Sequence, residues 1–276
     1  MVLDGNDLSK KIKNSVKENI KELMIKPCLA IIQIGNNSIS NLHINKIKEN
    51  CNEVGIYVKH IKYDEYTIEK EIINKIIELN NDKYVDGIML ELPIIEKYNV
   101  KKLVNFITKN KDIDGLTDSN KASLLRNNSN LVSCSALAVI ELLKEYNIEI
   151  EGKNIVVIGR SNLVGMPTAI LLNNMDATVT LCHSKTKNLI NHTKNADIII
   201  SATGIPNLIT KDMVNKNSVV IDVGFTKLND KYVGDVDFEN IKDNVKYISS
   251  INNGVGVVTN AILLRNILLA NKKRNK

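Results

Sequence analysis

The stretch Asn154-Ile-Val-Val-Ile-Gly-Arg-Ser-Asn-Leu-Val-Gly-Met-Pro167 decides the fold. Four consecutive apolar residues, Ile155 to Ile158, read as a strand buried on both faces, the pattern of a parallel sheet. Gly159 ends the strand, Ser161 or Asn162 is placed to cap the next helix, and Gly165 lets that helix pack close to the strand. Strand, glycine turn and helix start together make a phosphate cradle, because unpaired N–H groups and the helix dipole both attract anions. The spacing Gly159-x-x-x-x-x-Gly165 lacks the middle glycine of the usual dinucleotide fingerprint. On spacing alone, a plain strand-to-helix turn is an equally good reading.

The end of the next strand separates the two readings. It runs Leu181-Cys-His-Ser-Lys-Thr186 and holds no carboxylate. An acid there would bind ribose hydroxyls and repel a 2′-phosphate, whereas Arg160, Ser184 and Lys185 would attract one. The cradle therefore points to NADP over NAD. Beyond it, strands at 154–159, 177–182, 197–202 and 219–224 alternate with helices at 165–174 and 187–194, and Tyr247–Ser249 forms a last short strand. The first half shows the same alternation. A helix capped by Asp7 or Ser9 runs to Met24, and strands cover 29–34, 56–61 and 85–93. Helices cover 40–54, closed by Gly55, and a segment from a Thr67 cap to Asn80; a short helix spans 100–110. Helices at 135–146 and 257–271 complete the pattern. The expectation is an α/β protein of two α/β domains, the second a Rossmann-like, doubly wound parallel sheet. The domains are placed at 1–146 and 147–256, with the boundary near residue 146.

Composition narrows the function classes. The 276 residues are 43% hydrophobic but only 4% aromatic, with no Trp, so the core must be Ile, Leu and Val. The net charge of +6 comes from dispersed Lys without the basic stripe and interleaved aromatics of a nucleic-acid binder. Cys28, Cys51, Cys134 and Cys182 are scattered, with no C-x-x-C pair, so neither a disulfide framework nor a metal site is expected. The opening Met-Val-Leu-Asp-Gly is too polar for a signal peptide, and no apolar run approaches the roughly 20 residues of a membrane span. A cytoplasmic protein without membrane contact is expected.

Several motifs in order carry a specific resemblance: Gly-Arg-Ser-Asn-Leu-Val-Gly-Met-Pro167, Cys-His-Ser-Lys-Thr186, Ala-Thr-Gly-Ile-Pro206, Ile-Asp-Val-Gly224 and Val-Gly-Asp-Val236. Upstream stand Leu3-Asp-Gly5, Gly35, Ser40, Cys51-x-x-Val-Gly55, Asp86-Gly-Ile-Met-Leu-x-Leu-Pro93 and Asp112-x-Asp-Gly115; Gly254-Val-Gly256 and Thr259 close the series. The chain resembles the methylenetetrahydrofolate dehydrogenase/methenyltetrahydrofolate cyclohydrolase family nearly end to end. The resemblance implies a first domain that binds tetrahydrofolate derivatives and a second that binds NADP. It also implies a last helix, 257–276, that returns to the first domain, and a homodimer. It puts Gly159, Arg160, Ser161, Ser184 and Phe225 at the cofactor.

The chain departs from the family pattern where the catalytic groups belong. Aligned without a gap from Gly35 to Gly55, the family's Tyr is His43 and its Lys is Ile47. The Gln two residues before the strand-ending Pro93 is Glu91, while Asp114, the family's pterin ligand, is kept. Pro-Cys-Thr-Pro becomes Ser133-Cys-Ser-Ala136, and the diglycine loop becomes Asn252-Asn-Gly-Val-Gly-Val257. The dehydrogenase step forms a cation stabilised by its flanking nitrogens and needs positioning more than a base. The cyclohydrolase step needs acid–base groups, and isoleucine is none. The candidate catalytic residues are His43, in the pKa range of a base, Glu91 and Asp114. The expected function is an NADP-dependent dehydrogenase whose cyclohydrolase activity is doubtful. The alternatives are a bifunctional enzyme with relocated acid–base groups, for which Lys46 and Lys48 flank Ile47, and a non-catalytic folate or nucleotide binder.

Overall fold

The computed structural model describes residues 1–128, 131–228 and 231–274. The chain divides into two compact units, Met1–Ser9 with Ser135–Thr259 and Lys10–Cys134 with Asn260–Lys276. The division thus falls at 134/135 rather than near 146, and the first nine residues go with the later unit. Residues 275 and 276, part of the expected returning segment, lie outside the described residues.

In chain order the elements are β1 (Val2–Leu3), α1 (Asn6–Lys21), β2 (Cys28–Ile34), α2 (Ser38–Val54), β3 (Tyr57–Tyr63), α3 (Glu69–Asn81) and β4 (Gly87–Leu90). There follow α4 (Val100–Asn105), α5 (Asp118–Leu125), α6 (Cys134–Glu145), β5 (Asn154–Ile158), α7 (Gly165–Asn173), β6 (Thr178–Cys182) and α8 (Leu189–Thr193). The chain ends with β7 (Ile198–Ser201), β8 (Val219–Asp222), β9 (Thr226–Leu228), β10 (Lys231–Val233), α9 (Phe238–Ile241), β11 (Tyr247–Ser249) and α10 (Val255–Arg274).

In the unit built on residues 135–259, six parallel strands run in the order β1-β11-β8-β7-β5-β6. Ile155 to Ile158 are buried, as a strand covered on both faces must be. β5 lies between β6 and β7; the crossover after β5 leads outward to β6 and the one after β7 leads the other way to β8, which opens a crevice at the carboxyl ends of β5 and β7. β1 is too short to read as a strand from sequence. It adds to the sheet edge through Ile248 N–H donating to the Met1 carbonyl at 3.0 Å.

The other unit holds a parallel three-stranded sheet, β3-β2-β4. Its core packs Ala30, Ile32, Ile72, Ile76 and Leu103. α2 is capped at both ends by its sequence. Asn37 Oδ1 accepts from the N–H groups of Ile39 and Ser40, and Gly55 closes the helix at φ +88. Elsewhere local signals mislead. α3 begins after Ile68 with no side-chain cap, and the Thr67 carbonyl instead accepts from the Tyr98 hydroxyl at 2.6 Å. α1 stops at Lys21, short of the fully exposed Met24. The helix α5 has no apolar periodicity to announce it; Thr117 caps it by accepting from Asn120 N–H at 3.2 Å.

The last helix is tied into this unit by a buried charge. Arg274 reaches Asp86, whose side chain is fully buried, at 3.0 Å and donates to the Lys83 carbonyl at 2.7 Å. Asp86 also accepts from Cys28 N–H at 2.8 Å. Replacing one partner of a buried pair strands the other charge in low dielectric. Arg274→Met is therefore expected to cost about 3 kcal/mol, read as a lower midpoint in urea unfolding with an unchanged slope.

Candidate active site

The cradle is shaped by a backbone contact that excludes side chains. Gly159 adopts φ +105. A Cβ there would lie 2.3 Å from the Ala202 carbonyl oxygen, and one on Gly165 would lie 1.9 Å from the carbonyl oxygen of Gly159. Both obstacles are backbone, so neither can yield, and the start of α7 sits directly against the end of β5. The N-cap of α7 is Val164, with no side-chain cap bond, rather than Ser161 or Asn162; Ser161 Oγ instead braces the turn before it, accepting from Val164 N–H at 3.1 Å and Gly165 N–H at 3.5 Å.

A groove of about 430 Å³ opens at this end of the sheet, lined by Gly159, Arg160, Ser161, His183, Ser184 and Thr203 among others. No carboxylate lines it. The structure thus brings together four of the five expected cofactor residues. Phe225 is not among the groove's lining residues. It is exposed and stacks on Tyr232 of the β9–β10 hairpin, with ring centroids 4.5 Å apart. A glycine floor that admits no Cβ, a helix start with Ser161 at its turn and one arginine fit a dinucleotide whose adenosine end carries a phosphate.

Two buried carboxylates brace the crevice from behind. Asp235 Oδ2 accepts from Ser201 Oγ at 2.8 Å and from Thr203 N–H and Oγ at 2.6 and 2.9 Å, fixing the exit of β7. Asp222 accepts from the N–H groups of Gly224, Asp235 and Val236. Burial outweighs these bonds and lifts its carboxyl to about 6. The motifs Ile-Asp-Val-Gly224 and Val-Gly-Asp-Val236 are thus one structural unit.

In the other unit, α2 carries His43 to Glu91, just past the end of β4. His43 Nδ1 lies 3.0 Å from each Glu91 oxygen, and Glu91 is buried. A carboxylate oxygen accepts, so Nδ1 carries the proton and, in the neutral ring, Nε2 carries the lone pair. Burial pulls the His43 pKa down, but the hydrogen bond and charge of Glu91, helped by the charge of Asp114, outweigh it and the net direction is up. Burial pushes the Asp114 carboxyl up to about 6; the Cys134 thiol and His43 oppose the rise, while Asp112 and Glu91 add to it. His43, Glu91 and Asp114 therefore form one electrostatically coupled group.

Ile47 stands in the buried stripe of α2 with Ile44 and Cys51. Lys46 pairs with Glu49 on the exposed face, while Lys48 turns inward and donates to His60 Nδ1 at 2.8 Å. Asp112 braces its loop, accepting from Leu116 N–H, Thr117 N–H and Asn120 Nδ2. Asn266 of α10 donates to the carbonyls of Ile113 and Val132 at 2.8 and 3.1 Å, which holds the loop of Asp114. The sequence reading missed Asn266, Gln33 and His60. Gln33 alone left a visible signal, as a buried amide within the apolar run Leu29–Ile34. Among the described residues no cluster of His, Cys, Asp or Glu is arranged to hold a metal, and no helix is long and apolar enough to cross a membrane.

Two family models match this chain. The tetrahydrofolate dehydrogenase/cyclohydrolase catalytic domain matches residues 3–114, and the NAD(P)-binding domain of the same family matches residues 133–275. The chain belongs to the tetrahydrofolate dehydrogenase/cyclohydrolase family. Within this family it is 44% identical to the bifunctional protein FolD of Mycoplasma capricolum over 283 residues, covering 100% of this chain and 99% of that one. It superposes on the bifunctional FolD of Campylobacter jejuni with a TM-score of 0.97 at 39% identity, covering 99% of each chain. The Trypanosoma brucei family enzyme complexed with NADP cofactor and inhibitor gives a TM-score of 0.96 at 30% identity, covering 100% of this chain and 98% of that one.

Glu91 holds a proton on His43, so removing its charge has a definite sign. Glu91→Gln is expected to move the His43 titration to lower pH, as followed by the ring carbon signals in NMR.

Proposed function

We propose that the chain is a bifunctional NADP-dependent methylenetetrahydrofolate dehydrogenase and methenyltetrahydrofolate cyclohydrolase, in which a His43–Glu91 pair takes the place of the family lysine. The observation that carries this reading is the His43 ring held at 3.0 Å from both oxygens of a buried Glu91, with Nε2 left free. The doubt about hydrolysis raised by Ile47 gains no support from the comparisons: the relatives at 39–44% identity are named bifunctional. The homodimer belongs to the same reading and rests on family resemblance alone.

NADP, when bound, supplies the hydride acceptor for the first step. The chain's part in that step is to bind and orient. Arg160 and Ser184 at the groove would hold the 2′-phosphate, and the glycine floor would admit the pyrophosphate. In the second step a water adds to the cationic one-carbon bridge. His43 Nε2 takes a proton from that water, and the buried Glu91 carboxylate stabilises the imidazolium. The carbon–nitrogen bond then breaks, the added hydroxyl loses its proton, and the departing nitrogen gains one. The same ring can carry that proton. Asp114, ionised above about pH 6, accepts from the pterin and places the bridge.

A paired assay tests this. The intact protein should reduce NADP with methylenetetrahydrofolate and convert methenyl- to formyltetrahydrofolate above the uncatalysed rate. His43→Phe should lower the hydrolytic rate by about a hundredfold or more while the dehydrogenase rate changes much less. Methenyltetrahydrofolate that accumulates and is hydrolysed only at the uncatalysed rate would restore the monofunctional reading, and no turnover at all would leave a binder. For the cofactor, Arg160→Ala should raise the KM for NADP roughly tenfold to a hundredfold, the worth of one charge-assisted hydrogen bond, with little change in the KM for NAD.

A further inference from the structure

Behind His43 runs a directional chain of hydrogen bonds that the proposed hydrolysis does not use. Lys48 Nζ meets His60 Nδ1 at 2.8 Å, and His60 Nε2 meets Gln33 Oε1 at 2.9 Å. Gln33 Nε2 donates to Asn41 Oδ1 at 2.7 Å, and Asn41 Nδ2 donates to Asn36 Oδ1 at 3.0 Å. Asn36 Oδ1 also accepts from Lys62 at 2.8 Å. The chain leaves α2 at Lys48, crosses β3 and β2, and returns to the first turn of α2 at Asn41, two residues before His43.

Its direction is set at one end. An ammonium has donors and no acceptor, so Lys48 forces His60 Nδ1 to accept and places the ring proton on Nε2. Gln33 must then turn its oxygen to His60 and its amide nitrogen to Asn41. Gln33 is buried and cannot substitute water for either partner. It lies one position beyond Ile32, which pairs with Leu90, so Gln33 and Glu91 occupy matching places on adjacent strands. The chain therefore links the two segments that bear the His43–Glu91 pair.

We propose that His60 is a positioning residue: clamped neutral between Lys48 and Gln33, it fixes Gln33 and Asn41 and thereby the first turn of α2 from which His43 meets Glu91. Lys48, one position past the isoleucine that replaces the family lysine, acts here through His60. The proposal rests on the reading of His43 and Glu91 as the hydrolytic pair. Protonating His60 would put a second donor against Lys48 and break the clamp at that end, while Nε2 would still donate to Gln33. The groups facing His60 accord with a neutral ring. Burial, Lys48 and Lys62 push its pKa down, and only Glu91 pushes it up. A depressed His pKa means that the neutral arrangement is fully favoured above the ordinary His value and is lost as pH falls through the depressed one.

The test separates this proposal from the functional reading. NMR titration of His60 in the intact protein should show a pKa below the ordinary His value, shifted upward in Lys48→Met. A His60 that titrates at or above the ordinary value, or is unmoved by Lys48→Met, overturns the proposal whatever the activity. His60→Leu should lower the hydrolytic kcat roughly tenfold with the KM for NADP unchanged. His60→Gln can accept from Lys48 and donate to Gln33, so it should restore the rate and remove the His60 limb of the acid pH profile. Leu and Gln variants that behave alike, both folded by circular dichroism, also overturn it. Intact hydrolysis in His43→Phe would defeat the functional reading while leaving the His60 titration to stand.

Discussion

The carbonyl oxygen of Gly159 occupies the space where any side chain at position 165 would have to begin. That steric fact governs the cofactor half. It brings the first turn of α7 onto the end of β5, and it leaves the groove floor as bare backbone. The approach is possible because β5 is buried on both faces and lies beside β7, the crossovers after these two strands leading in opposite directions. The buried Asp222 and Asp235 then fix the neighbouring strand exits. A dinucleotide site here is a consequence of parallel-sheet topology made accessible by two glycines.

The other unit solves a different problem. A buried carboxylate at position 91 requires a proton donor, and α2 supplies one in His43. The pair places a titrating ring against a fixed anion, with Asp114 close enough to add its charge. Ile47 packs in the apolar stripe of α2, so position 47 puts no amine beside this ring and its two carboxylates. Behind it, the hydrogen-bond chain from Lys48 to Asn41 keeps a polar layer satisfied beneath the helix.

What could be read from the chain obeyed local rules. The apolar run Ile155–Ile158, the closing Gly55 and the alternation of strands and helices each depend on neighbours within a few residues. Where pairing is distant, reading failed. Val2–Leu3 becomes a strand because the edge of β11 is open to it, and α5 exists without apolar periodicity because Thr117 caps it. Thr67 looks like a helix cap and is not one. The stacking of Phe225 on Tyr232, a residue in the paired strand, was likewise not legible from the chain.

The sequence by itself determined the α/β class, the position of the cradle and the acid-free end of β6, because each is a matter of residue type at a local spacing; the family resemblance added the isoleucine at position 47 in place of a lysine. It also named His43, Glu91 and Asp114, one at a time. Only the tertiary structure decided that His43 and Glu91 meet, 48 residues apart, and that Lys48 turns inward to His60 while Lys46 stays with Glu49 at the surface. The physical reason is that a hydrogen bond is a statement about two atoms within about 3 Å. For residues on different elements, that distance is set by sheet register and helix rotation, which no local pattern encodes.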